Sequence, residues 1–189
     1  MRSIHGGVVT IRSAPAVVLL VLVGTVWGSA QSRRWRATDD IPRYERYLRE
    51  ALPEADSFRF IDRGTPHYRG YRTGANGEKT LVGLGFFTVD FTPDVRGYKG
   101  EIWMLIGMNP GGTLIDISMV YHSEPFGYFS IDLPEFLAQF RGKSVLAPMT
   151  VGDDIDAISR ATITNNAAVR SIRDSARRMA REFLAERSN

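Results

Sequence analysis

Residues 156–166 read DAISRATITNN and lie directly before the longest helical pattern in the chain. A helix N-terminus presents backbone N–H groups without intrahelical partners and about half a positive charge. Hydroxyl groups beside such a terminus add hydrogen-bond donors for a phosphate. Local chemistry leaves two interpretations open: the segment holds a phosphate group, or Thr164 is an ordinary N-cap and Ser159 and Thr162 are turn residues. A diffusible nucleotide is poorly supported, because the sequence has no glycine-rich phosphate loop.

The composition limits the redox chemistry that the chain can carry. Its 189 residues include no cysteine and three histidines, His5, His67 and His122. The lack of cysteine excludes disulfides, thiolate catalysis and cysteine-ligated iron–sulfur clusters. So few histidines disfavour a histidine-rich metal site or a bis-histidine haem, and we predict no metal site. If this protein moves electrons, they must reside on an organic cofactor.

An apolar stretch near the start of the sequence resembles an export signal. Two arginines precede it, and its most apolar part, residues 14–27, has the length of a signal-peptide hydrophobic region rather than of a bilayer span. Small residues at 28–30 suit a signal peptidase. We predict that residues 1–30 are a signal peptide, with the mature chain beginning near Gln31, or an uncleaved membrane anchor. Either way the remaining domain, residues 38–187, is expected to be periplasmic or otherwise extracytoplasmic.

The elements that must position the hydroxyl-rich segment begin with a helix and continue as strands. Thr38 or Asp39 is expected to cap the helix, and Pro53 to stop it. Turn signals at residues 74–78 and 109–112 predict two hairpins. The strand patterns occupy residues 57–64, 67–73, 79–91, 101–108 and 113–122.

The last of these strands alternates apolar and polar residues, which predicts one buried and one wetter face. Residues 133–140 read as a short helix, and a final helix is expected to start near Thr164. Its apolar residues recur every three or four positions, so this face should pack on the sheet: Val169, Ile172, Ala176, Met179 and Phe183. We therefore predict an α+β fold, an antiparallel sheet flanked by an N-terminal helix and a long C-terminal amphipathic helix.

The final helix carries most of the excess positive charge. Residues 165–189 hold six arginines against Asp174, Glu182 and Glu186. A basic helix can bind nucleic acid or anionic lipid. Interleaved acids favour a solvated face instead, and nucleic-acid binding conflicts with export, so we predict no nucleic-acid partner.

Residues 156–164, DAISRATIT, resemble the flavinylation motif D-x-x-[S/T]-G-A-T-x-[T/S] of FMN-binding domains. Such domains occur in the Rnf complex, in the sodium-pumping NADH:quinone reductase and in NosR-like proteins. The resemblance implies that Thr162 carries FMN through a phosphoester bond, attached by a flavin transferase that uses FAD and magnesium. It also implies that the surrounding motif residues bind the cofactor: Asp156, Ser159, Arg160, Ala161 and Thr164.

The resemblance extends upstream of the motif. Residues 97–127 are similar to the family pattern of a glycine turn, a strand, a glycine hairpin, a second strand and H-x-E-T-P-G. This match implies flavin contacts from His122, Glu124 and Gly127. The segment 136–144, FLAQFRGKS, is similar to the family's F-x-x-Q-F-x-G-K.

Two departures from the family pattern stand near the implied site. Arg160 replaces the usual glycine, as in the NosR-like branch, and Pro125 and Phe126 replace the usual Thr and Pro after Glu124. Neither change removes the acceptor hydroxyl of Thr162.

The resemblance implies a membrane-associated electron-transfer flavoprotein rather than a stand-alone enzyme, because the flavin supplies the chemistry. The expected partners are quinone, iron–sulfur or cytochrome proteins in the membrane or periplasm, in a respiratory and NosR-like, denitrification-linked chain. The alternative is a non-redox accessory or sensory module of a respiratory complex.

Overall fold

The computed structural model describes residues 36–125, 131 and 134–188. The predicted export segment and Gly127 lie outside the described residues. Within those ranges no helix has both the length and the apolar character that a bilayer span requires.

Five antiparallel strands form one sheet in the order β1-β2-β3-β4-β5, so each strand pairs with its neighbours in sequence. Both predicted hairpins are confirmed, since β2 pairs with β3 and β4 pairs with β5. The strand bounds are β1 Ser57–Ile61, β2 His67–Thr73, β3 Lys79–Phe87, β4 Trp103–Met108 and β5 Leu114–Tyr121. The antiparallel α+β architecture predicted from the sequence is therefore confirmed.

Strand β3 ends earlier than its apolar run suggests. The chain turns after Phe87 into a short helix, α2, at Thr88–Phe91. The turn brings the buried Asp90 carboxylate against the backbone N–H groups of Arg36 and Ala37, at 2.6 and 3.0 Å. Helix α2 therefore anchors the segment that leads into the first helix.

The three other helices are α1 Ile41–Ala51, α3 Pro134–Ala138 and α4 Thr162–Ser188. The predicted cap of α1 at Thr38 or Asp39 is wrong, because Asp40 occupies that position and its side chain makes no capping bond. Thr38 is held outside the helix by the Tyr68 hydroxyl, which accepts its N–H at 3.0 Å and donates to its carbonyl at 2.8 Å.

Helix α1 covers one face of the sheet. Leu48 and Ala51 are fully buried there with Tyr68, Phe87 and Leu105. The helix approaches so closely that a Cβ on Gly107 would collide with the Ala51 carbonyl. A larger residue at this position would push the helix off the sheet.

Helix α4 covers the opposite face. All five residues of its predicted apolar stripe are buried, so this prediction is confirmed. Helices therefore cover both faces of the sheet, and the prediction that one face of β5 is exposed to solvent is wrong. Ser118 is 2% exposed and donates its hydroxyl to Glu50 of α1.

Candidate functional site: the N-terminal turn of helix α4

Helix α4 begins at Thr162, two residues before the predicted start. The Ala161 carbonyl accepts the first helical bond, from the Asn165 N–H at 2.8 Å. The N–H groups of the first turn have no intrahelical acceptor, because a helix leaves its first donors unpaired. The interpretation of Thr164 as an N-cap is therefore wrong, since Thr164 lies inside the first turn.

The two threonines of this turn have opposite environments. Thr162 is exposed to solvent, whereas Thr164 is 3% exposed. The Thr164 hydroxyl donates a hydrogen bond to the Glu124 carboxylate. Of these two hydroxyls, only that of Thr162 can be reached by an external reagent.

Glu124 connects helix α4 to the glycine turn at residues 97–100. Its side chain is 2% exposed and accepts the N–H groups of Tyr98 and Lys99, at 3.2 and 2.8 Å, in addition to the Thr164 hydroxyl. A Cβ on Gly97 would lie 2.5 Å from a Glu124 carboxylate oxygen, so the glycine leaves room for this contact. Glu124 thus lies behind the turn and supports it.

His122 helps to hold Glu124 in place. Its Nδ1 accepts the backbone N–H of Glu124 at 3.1 Å, which fixes the short loop after β5. Neither His122 nor Glu124 lines the cleft described below.

Arg160 adopts a left-handed backbone conformation, with φ of 64°. Glycine enters this region without the steric penalty that a Cβ brings, which other residues meet at about 1–2 kcal/mol. This left-handed conformation explains why the flavinylation motif has a glycine at the position of Arg160. The exposed Arg160 guanidinium forms no ion pair with another described residue.

A cleft of about 430 Å³ opens beside the turn. Its described lining includes four predicted site residues, Arg160, Ala161, Thr162 and Thr164. The lining also includes Pro125, which departs from the family pattern, and two residues that the sequence did not single out, Tyr98 and Ile163. Tyr98 could have been found as the aromatic residue of the glycine turn at 97–100.

Asp156 and Ser159 are exposed and lie outside the lining of the cleft. The backbone of Asp156 is held by the Gln139 amide, which accepts its N–H at 2.6 Å and donates to its carbonyl at 3.3 Å. Gln139 is the glutamine of the segment F-x-x-Q-F-x-G-K. The two separate motifs therefore meet in space.

Three further contacts hold the loop that leads to Thr162. The buried Asn165 side chain donates to the Ile158 carbonyl at 2.8 Å. Asp154 accepts the Thr150 N–H at 2.7 Å and the Lys143 ammonium at 3.1 Å. The Thr150 N–H and the lysine lower the pKa of the Asp154 carboxyl below its ordinary value. The loop before α4 is consequently fixed by charged and amide groups from outside the motif.

Within the described ranges no group of three or more carboxylate and histidine side chains is arranged to hold a metal ion. The chemistry available at the cleft is that of an exposed hydroxyl, helix N–H donors, a guanidinium and apolar walls.

Comparisons with known proteins agree with this arrangement. Residues 97–177 match the model of the FMN-binding domain family, which confirms the resemblance and supports FMN as the cofactor. The chain is also 27% identical over 133 residues to one component of the proton-translocating ferredoxin:NAD(+) oxidoreductase complex of Clostridium ljungdahlii. That alignment covers 67% of this chain and 66% of the relative, so the chain spans about two thirds of the relative's length.

Proposed function

Because residues 97–177 belong to the FMN-binding domain family, we propose that the protein is an exported flavoprotein that carries FMN on Thr162 and relays electrons. The observation that carries this proposal is the contrast within one helical turn. Thr162 is exposed at the cleft, while Thr164 is buried and already bonded to Glu124. A phosphoester needs a reachable hydroxyl, and this turn supplies one at Thr162.

The residues around Thr162 fit a flavin mononucleotide. The unpaired N–H groups of the first turn favour the remaining phosphate oxygens. The Arg160 guanidinium lines the same cleft and can form charge-assisted hydrogen bonds to a phosphate. Tyr98, Pro125 and Ile163 provide apolar surface of the kind that a flavin ring requires.

Attachment is proposed to proceed by transfer from FAD. The Thr162 hydroxyl bonds to the FMN-side phosphorus of the FAD pyrophosphate, loses its proton and releases AMP. A flavin transferase with magnesium supplies the FAD and catalyses this step. Asp156 and Ser159, which are exposed on the same loop, are assigned to recognition by that transferase.

A covalent bond suits a protein that works outside the cytoplasm. A cofactor held by hydrogen bonds alone would dissociate where little free FMN is present to replace it. When bound, FMN accepts and returns electrons, and the protein orients it and sets its environment. We assign no catalytic residue to the chain itself.

The partners are proposed to be electron carriers of a membrane-associated respiratory complex. The relative's name describes a component of a ferredoxin:NAD(+) oxidoreductase complex. This chain has no cysteine, so cysteine-ligated iron–sulfur clusters must belong to other proteins of such a complex. Quinones and cytochromes are the other carriers that could exchange electrons with it, and Arg160 favours a NosR-like chain among the alternatives.

The proposal is tested by co-expressing the full chain with a flavin transferase and measuring the intact mass. We expect a species heavier by FMN less one water, which retains yellow fluorescence in a denaturing gel. Omitting the transferase is the control, and it should give the unmodified mass. An unmodified mass in both samples would favour a non-redox accessory module and contradict the proposal.

A further inference from the structure

We propose that Tyr98 is the platform on which the flavin ring stacks, an inference that rests on the proposed function. Its first support is exposure: 63% of the tyrosine surface is open to solvent although the residue lines the cleft beside Thr162. Large aromatic side chains usually bury most of their surface. The Lys99 ammonium lies 5.2 Å from the centroid of this ring, and the ring surface that remains open on the cleft wall is available for a ligand to cover.

The second support is the rigidity of the backbone beneath the ring. The Tyr98 N–H donates to Glu124, and Gly97 and Gly100 close the turn with a backbone bond of 2.8 Å. Glu124 also binds Thr164 of helix α4. One buried carboxylate thus fixes both the tyrosine backbone and the turn that carries Thr162, so the distance between platform and attachment point is set by the fold.

The third support is the character of the neighbouring surface. Ile163 follows Thr162, is 60% exposed and lines the same cleft, as does Pro125. A flavin has a polar phosphate at one end and a flat, largely apolar ring at the other. The charged part of the cleft at Arg160 suits the phosphate, and the apolar part around Tyr98 suits the ring.

Stacking on tyrosine quenches flavin fluorescence, which provides a direct readout. The full chain is co-expressed with a flavin transferase, and the fluorescence per covalent flavin is compared before and after denaturation. An aromatic pair favours the stacked state by about two- to tenfold. We therefore expect Tyr98→Leu to raise the native fluorescence by a similar factor, with less change on denaturation than in the wild type.

Tyr121→Leu is the matched control. Tyr121 is also an exposed tyrosine, at 49%, but it packs on Trp103 and does not line the cleft. This variant should keep the wild-type fluorescence. Tyr98→Phe should retain a ring against the flavin, so iodide in solution should quench its flavin no faster than in the wild type, whereas Tyr98→Leu should be quenched faster.

The outcomes separate the two proposals. Covalent flavin whose native fluorescence and iodide quenching are unchanged by Tyr98→Leu would overturn the platform and leave the attachment at Thr162 intact. Wild-type protein without covalent flavin would overturn the proposed function and the platform with it.

Discussion

The two ends of helix α4 lie against the same sheet and use their polar residues in different ways. At the C-terminal end Glu186 pairs with Arg69 at 2.5 Å, next to the buried Phe183. At the N-terminal end Thr162 and Arg160 are exposed at a cleft. The Glu186 carboxylate at the first end is paired within the protein, whereas the Arg160 guanidinium at the second end has no ion-pair partner among the described residues. This difference is why we propose the N-terminal turn as the functional end of the helix.

The largest expected effect comes from Thr162→Val, which removes the proposed acceptor while keeping the shape of the side chain. We expect complete loss of covalent flavin in a denaturing gel. Exposed substitutions of this kind change the free energy of unfolding by about 0.5 kcal/mol or less, so the thermal melt should stay close to that of the wild type. Covalent fluorescence in this variant would contradict the assignment.

The same substitution at Thr164 should have the opposite outcome. Thr164→Val deletes the buried hydroxyl that donates to Glu124. Leaving a buried acceptor with one fewer partner costs about 1–3 kcal/mol, which denaturant unfolding can measure. Covalent flavin should remain on the folded protein, because the acceptor is intact. Unchanged stability here would show that the Glu124 contact does not support the turn.

A smaller effect is expected at Arg160, where the backbone before the N-terminal end of α4 is strained. Arg160→Gly should increase the free energy of unfolding by about 1 kcal/mol, because glycine enters the left-handed region without penalty. Arg160→Ala is the matched control: it removes the guanidinium, keeps a Cβ and should give no gain. Both variants should still be flavinylated. Complete loss of covalent flavin in Arg160→Gly would mean that the transferase reads the arginine itself.

The smallest effect concerns the C-terminal end. Burial lowers the pKa of His67, and the positive charge of Arg69 lowers it further. The hydrogen bond from Nδ1–H to the Thr65 carbonyl and the negative charges of Glu186 and Glu182 oppose this shift without reversing it. The unfolded imidazole takes up a proton below about pH 6.5, and the folded one does so only at lower pH. This contribution to stability is therefore complete above pH 6.5 and is lost as the pH falls.

The expected loss is at most about 0.8 kcal/mol at pH 6. The measurement is urea unfolding at pH 8 and pH 6. His67→Asn is the control, since its amide can replace the Nδ1–H donor and has no charge to gain. An equal pH dependence in wild type and variant would show that His67 does not cause it.

Local patterns in the sequence were sufficient to predict most of the framework. The Asn76-Gly77 pair predicts a hairpin because such turns need positive φ, which glycine adopts without a steric penalty, and Gly77 has φ of 82°. The stripe from Val169 to Phe183 predicts the buried face of α4 because its spacing follows the helical repeat. Both signals depend on residues close together in the chain.

Long-range contacts explain what the sequence did not predict. Thr164 has the residue type of an N-cap, but a carboxylate forty positions away in the chain binds its hydroxyl inside the helix. Tyr98 is likewise connected to α4 through Glu124, which accepts both its N–H and the Thr164 hydroxyl. Thr162 was proposed as the acceptor from the motif resemblance, since composition and spacing alone did not distinguish it from Thr164.

The most direct test is to locate the modification within one peptide. Trypsin cleaves after Arg160 and Arg170, which releases residues 161–170 with both threonines in a single fragment. The chain is first co-expressed with a flavin transferase, and the peptide is then sequenced by fragmentation mass spectrometry. We expect the mass of FMN less one water on Thr162, with Thr164 unmodified. Modification of Thr164, or an unmodified peptide, would contradict the proposed function.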